Sequence, residues 1–177
     1  MRLFVAVELP ERTRDVLWET ARGLETVWSQ GRLLPRESYH ITLAFLGEQP
    51  EEGLERIRSA MDGCRCHPFR ASLGRLGLFA QRGGGVLWRQ VRSPELIVLQ
   101  QQLARRLELA GFGLERRPFQ PHITLARRVA LPPGTRIDML DIPGEQLTFP
   151  VEGMALMRSQ LSPQGASYQR LSLHRFH

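Results

Sequence analysis

The string His-Ile-Thr-Leu-Ala occurs twice in this chain of 177 residues, at 40–44 and again at 122–126. An identical string in two places points to a duplicated structural unit, and the surroundings of each copy extend the match. Ahead of the first copy, Leu3 to Leu9 is rich in β-formers and reads as a strand. Pro10 then stands at a helix start, where a missing N–H costs nothing, and Leu17, Ala21, Leu24 and Trp28 recur at helical spacing. Ahead of the second copy, Gly85 to Val91 reads as a strand, and Ser93-Pro94 as an N-cap and first turn. Leu96, Leu99, Leu103, Leu107 and Ala110 form the stripe, and Gly111 is placed to stop the helix. Each half therefore reads strand, helix, loop, strand.

Side chains alternate faces along a strand, so residues i and i+2 look the same way. His40 and Thr42 share one side, while Ile41, Leu43 and Phe45 are expected to bury on the other. His122 and Thr124 repeat this against Ile123 and Leu125. A purely structural repeat has to keep its apolar register and has no reason to keep a histidine and a threonine on the polar face. Facing each other across a pseudo-twofold axis, the two copies would present two imidazoles and two hydroxyls to one small anion. Histidine titrates near neutrality, so one ring can accept a proton from an attacking oxygen while the other donates to a leaving oxygen. Threonine hydroxyls can hold the non-bridging oxygens of a phosphate. Arg127 lies within reach of the second motif, but in a straight strand its odd number turns it away from the histidine face, so a bend is required.

The rest of the chain frames this expectation. Pro50 to Met61 carries a short helical stripe, Phe69 to Phe79 reads as a strand or hairpin, and 146–151, 153–160 and 167–176 alternate as strands. The expected fold is α+β and bilobal, with two pseudo-twofold-related lobes of mainly antiparallel sheet, helices outside and an active groove between them. With no low-complexity linker, residues 1–177 are read as a single two-lobed domain. All 24 basic residues are arginine, against 18 acidic ones. Guanidinium forks suit phosphate and RNA, although a chain without lysine or asparagine also fits a compositional bias of the genome. Cys64 and Cys66, one residue apart, are read as free thiols. His67, His174 and His177 have no repeated partner and are read as surface or strand residues. No metal site or cofactor motif is visible, and neither a signal peptide nor a membrane-length apolar run, so cytoplasmic residence and a monomer are expected.

The two motifs with their flanks resemble those of the two-histidine phosphoesterases, specifically the RNA 2',3'-cyclic phosphodiesterase or 2'-5' RNA ligase family. The stretches that carry the resemblance are RLFVAVELP, YHITLAFLGE, VLWRQV, RPFQPHITLARR and GASYQRLSLHRF, spread over essentially the whole chain. The resemblance implies metal-independent hydrolysis of a 2',3'-cyclic phosphate on an RNA end or nucleotide to the 2'-phosphomonoester, with reversible ATP-independent 2'-5' ligation as a side activity. It implies His40 as proton donor, His122 as proton acceptor, and Thr42 and Thr124 as phosphate holders. It further implies substrate contacts from Arg127 and Phe4, with Tyr39 and Phe119 either stacking on a base or packing in the core. Two alternatives stay open at this point: another small cyclic-phosphate nucleotide as substrate, or a non-catalytic RNA-binding module.

Overall fold

A computed structural model describes all residues 1–177. Nine strands and three helices alternate along the chain: β1 (Arg2–Glu8), α1 (Glu11–Leu24), β2 (Gln30–Leu33), β3 (His40–Glu48), α2 (Leu54–Asp62), β4 (Phe69–Phe79), β5 (Gly85–Arg92), α3 (Pro94–Leu109), β6 (His122–Ala130), β7 (Thr148–Val151), β8 (Gly153–Ser162) and β9 (Gly165–Arg175). They form two antiparallel sheets, of order β3-β1-β8-β9 and β2-β6-β5-β4-β7. Four strands of each sheet correspond, with β3-β1-β8-β9 matching β6-β5-β4-β7. The duplicated unit is β1-α1-β3 in one sheet and β5-α3-β6 in the other.

The halves also exchange pieces. Strand β4 follows the first unit in sequence but joins the second sheet, and β8 follows the second unit but joins the first. Strand β2, from the first half, pairs with β6. Helix α1 packs on β6, and Gln100 on α3 donates to the Leu43 carbonyl on β3. One core of 36 buried residues runs through both halves, so the apolar faces of the two copies share their burial.

Several local expectations are adjusted by the structure. Pro10 is the N-cap of α1, not its first helical residue, and the helix ends at Leu24, leaving Trp28 beyond it. Ser93 caps α3 as expected, its hydroxyl accepting from the Leu96 N–H at 3.2 Å. Phe45, expected among the buried residues, is 46% exposed. The reason is a β-bulge: Val5 pairs with Ala44 and Ala6 with Thr42, leaving Leu43 as an extra residue. Leu43 and Ala44 both turn inward and the alternation is reversed beyond them. The second copy has the same bulge, with Leu87 opposite Ala126, Trp88 opposite Thr124 and Leu125 extra. It is the bend that Arg127 required.

Candidate active site

His40 and His122 are each the first residue of their strand, β3 and β6. Each ring is fixed in the same way. His40 Nδ1 lies 2.7 Å from the Ser38 carbonyl, and His122 Nδ1 lies 2.7 Å from the Gln120 carbonyl. A carbonyl only accepts, so both Nδ1 atoms carry hydrogen and both Nε2 atoms are the ones left for proton exchange. His40 Nε2 also lies 3.0 Å from Thr42 Oγ1 on the same strand face. The i–2 carbonyl anchor belongs to the loop entering each strand, so it is part of the duplication.

The surroundings of the two rings differ. His40 sits against Phe4 at 4.9 Å between ring centroids and meets Tyr168 edge-on at 5.1 Å. Phe4 is 4% exposed and packs with Ala6, Ala155 and Met157 behind the histidine. His122 is more open and stands edge-on to Phe79 at 5.3 Å and near Trp88 at 6.1 Å.

Electrostatics tie the two lobes together at this point. Burial pushes the His40 pKa below the ordinary histidine range; the hydrogen bond to the Ser38 carbonyl opposes this, and the charges of His122, Arg14 and Arg127 add to the lowering. The side chains carried by β6 and α1 are thus close enough to act on the β3 histidine. The Tyr168 hydroxyl is raised by burial and drawn back by Arg127 and Arg2. Arg127, turned out by the bulge, therefore belongs to the electrostatic surroundings of both His40 and Tyr168 on the opposite sheet. Two imidazoles and two guanidiniums make a cationic centre suited to an anion.

Arg14 was not legible in the sequence as a site residue. It lies on α1, its Nη1 is 3.4 Å from Glu11 Oε1, and its buried Nε has no partner in the protein. Glu11 also accepts from Arg36 at 2.6 Å, and Asp15 accepts from Arg36 Nε at 2.7 Å. This network joins α1 to the turn at Arg36–Ser38 that carries the His40 anchor. Tyr168 was missed as well, because it lies 128 positions beyond His40 and reaches it only through the pairing of β9, β8, β1 and β3.

Of the residues singled out from sequence, Phe4 and Thr42 lie against His40, and the charges of His122 and Arg127 reach it from β6, where Thr124 stands two residues beyond His122. Tyr39 is not among them: it is 0% exposed, points into the core, and burial drives its hydroxyl far above the ordinary tyrosine range. Strand alternation explains this, since Tyr39 precedes His40 and must face the other way. Phe119 is half-buried and packs against the same large core. His174 Nδ1 donates to Asp62 Oδ1 at 2.8 Å, and both cysteines are free. No group of three or more histidine, cysteine, aspartate or glutamate side chains is clustered so as to hold a metal ion. No helix is long and apolar enough to cross a membrane.

Known proteins share this architecture. A Thermus thermophilus protein named RNA 2',3'-cyclic phosphodiesterase is 37% identical, the alignment covering 95% of this chain and 86% of that one. A Methanothermobacter thermautotrophicus protein of the same name is 32% identical over 99% of this chain and 98% of its own length. A crystal structure from Thermus thermophilus superposes with a TM-score of 0.84 at 34% identity, covering 99% of this chain and 98% of the other. Escherichia coli LigT complexed with 3'-AMP superposes with a TM-score of 0.82 at 27% identity over 99% and 97% of the two chains. The family model of the 2'-5' RNA ligase superfamily matches residues 10–163, and the chain belongs to that superfamily.

Proposed function

We propose that this chain opens the 2',3'-cyclic phosphate of an RNA end or nucleotide to the 2'-phosphomonoester, with the two histidines passing protons on opposite sides of the phosphorus. The observation that carries the reading is the matched anchoring of His40 and His122 by upstream carbonyls, which leaves Nε2 as the proton-exchanging nitrogen of each ring. In an in-line displacement the entering and leaving oxygens stand on opposite sides of phosphorus, so two separate proton carriers are needed. Neutral His122 accepts the proton of the attacking water at Nε2. Protonated His40 gives its Nε2 proton to the 3'-oxygen as the P–O3' bond breaks, and a 2'-phosphate with a free 3'-hydroxyl results. Thr42, Thr124 and Arg127 hold the non-bridging oxygens, where negative charge accumulates. Phe4 supports the His40 ring from behind.

His40 must be protonated to act as the acid, although its surroundings favour the neutral ring in the empty site. The substrate resolves this conflict. A bound phosphodiester anion offsets the charges of Arg14 and Arg127, which removes their share of the lowering. All of these groups come from one chain, which supports a monomer as the working unit, within one two-lobed domain.

The test is to identify the product formed from 2',3'-cyclic AMP in the presence of a chelator. The 2'-phosphate is expected, and His40→Ala and His122→Ala should each remove most of the turnover. Release of the 3'-phosphate, or full activity in either variant, would overturn the role assignment.

A further inference from the structure

The two histidines have unlike neighbours at one equivalent place. Glu8 on β1 stands directly opposite His40, and Gln90 on β5 stands directly opposite His122. Residues paired in this way carry their side chains on one face of the sheet. Gln90 is used within its own sheet, its Oε1 accepting from the Arg75 N–H at 3.4 Å. Glu8 is held differently. Its carboxylate is drawn across β8 to Arg170 on β9, whose Nη1 donates to Oε2 at 2.9 Å, and Oε1 has no partner in the protein. A carboxylate beside a phosphate site repels the anion, so Glu8 does not serve the phosphate. What it can hold is an N–H group of a neutral ring. Glu8 also lines a cavity of about 330 Å³ where β7 crosses to β8, within the size range of small-molecule sites. Pro10, Pro150 and Leu173 give this cavity apolar walls, and Glu152 and Arg175 add charge. Leu173 shares the sheet face of Glu8, since it pairs with Ala155, which packs with Phe4 and Ala6.

The cavity and His40 meet at Glu8, so a ligand whose phosphate lies at His40 can place a ring in the cavity. Given the proton roles proposed above, on which this inference rests, His40 serves the leaving 3'-oxygen, and the nucleoside bearing the cyclic phosphate belongs on its side. We propose that the cavity receives the base of that nucleoside, that Glu8 reads its N–H edge, and that the base is guanine. The proline and leucine side chains offer apolar surface to the faces of a planar base. Guanine alone of the four bases presents two adjacent donors, N1–H and the N2 amino group, to one carboxylate. Oε1 is free for one of them, and Oε2 keeps a second lone pair for the other while Arg170 fixes its direction. The O6 and N7 atoms of guanine accept from a guanidinium, which Arg175 supplies from the end of β9. Adenine and cytosine set a ring-nitrogen acceptor beside the amino group, and uracil flanks its single N–H with two carbonyl oxygens. Each of these brings an acceptor against the carboxylate.

The experiment measures kcat/KM for the 2',3'-cyclic phosphates of guanosine, adenosine, cytidine and uridine, in the native protein and in Glu8→Gln. Any effect of the variant on His40 acts on all four substrates and cancels in their ratios. The native protein is expected to favour the guanosine substrate over the adenosine one by about tenfold or more, the discrimination that a bidentate base contact gives. Glu8→Gln should bring that ratio to within about threefold of unity, because its amide sets an NH2 group against one of the guanine donors. Its efficiency on the adenosine substrate should stay within about threefold of the native value, which also shows that the variant is folded. Equilibrium binding of 2'-GMP and 2'-AMP should show the same preference and the same loss. Native protein that hydrolyses all four substrates equally well, or prefers another base, would overturn the guanine site alone. So would a guanosine preference that survives Glu8→Gln, or an equal loss on all four substrates in that variant, which would place Glu8 in the service of the fold or of His40. Native protein that hydrolyses none of the four would overturn the underlying function.

Discussion

The two copies of His-Ile-Thr-Leu-Ala have the same backbone and different neighbours. Both begin a strand, both anchor Nδ1 on the carbonyl two residues upstream, and both bulge at the leucine. Five residues after the histidine, however, the first copy has Phe45, with the Arg2 guanidinium 5.0 Å above its ring, and the second has Arg127. Around the histidine the first copy is enclosed by Phe4 and Tyr168, and the second opens toward Phe79 and Trp88. Duplication supplies two rings in equivalent poses, and divergence of their surroundings allows equal groups to perform opposite steps. The chemistry thus resides in the differences between the copies as much as in their identity.

The largest expected effect tests what the copies share. His40→Ala and His122→Ala should each lower kcat for a 2',3'-cyclic nucleotide by about a hundredfold to ten-thousandfold, the usual worth of positioned proton transfer. A variant that loses less than about tenfold would remove its ring from the reaction. Next comes the position that distinguishes the copies. Arg127→Ala should lower kcat/KM by about a hundredfold, with Arg127→Lys recovering only part, because a point charge cannot reproduce the planar fork. Phe45→Ala, at the equivalent place, should leave kcat/KM unchanged. Equal losses at the two positions would mean that the bulges serve the fold and not the site.

The pH dependence sharpens the contrast between the rings. Protonated His40 is required, and in the free protein its pKa is lowered first by burial and then by cationic neighbours. The alkaline limb of kcat/KM, which reports the free protein, should therefore fall at lower pH than an ordinary histidine would give. The alkaline limb of kcat, which reports the complex, should lie at higher pH because the bound anion offsets those charges. Coincident limbs would show that the phosphate does not sit among Arg14, Arg127 and His122. The smallest effect concerns the helices: Ser93→Ala removes the side-chain cap of α3 and should cost about 1 kcal/mol of unfolding free energy, read from denaturant midpoints. Helix α1 has Pro10 as its N-cap and no such bond to lose.

The residues that act locally were legible in the sequence, and those that depend on distant pairing were not. The repeat, the His/Thr faces and the Ser93 cap follow from spacing within a few residues. The exposure of Phe45 and the reach of Arg127 did not follow, because a bulge breaks the alternation on which face assignment rests; the adjacent apolar pairs Leu43-Ala44 and Leu125-Ala126 were the available signal. Tyr39 is adjacent to a site residue in sequence and opposite to it in space. Arg14, Tyr168 and the Phe79–Trp88 pair reach the site through α1 packing on the second sheet and through strands brought from elsewhere in the chain. Nothing in their local sequence marks that destination. The short β2, with three exposed residues of four, likewise lacks the apolar alternation that would announce a strand and owes its form to pairing with β6.

The most direct measurement of the opposed roles compares both histidine variants on two substrates that differ in their need for a leaving-group proton. One is a 2',3'-cyclic nucleotide, whose alkoxide must be protonated, and the other a nitrophenyl phosphodiester, whose phenolate departs without help. His40→Ala should regain turnover to within about tenfold of the native protein on the nitrophenyl ester, while His122→Ala stays deeply impaired on both. Rescue of His122→Ala, or equal impairment of the two variants on both substrates, would contradict the assignment of donor and acceptor to these two rings.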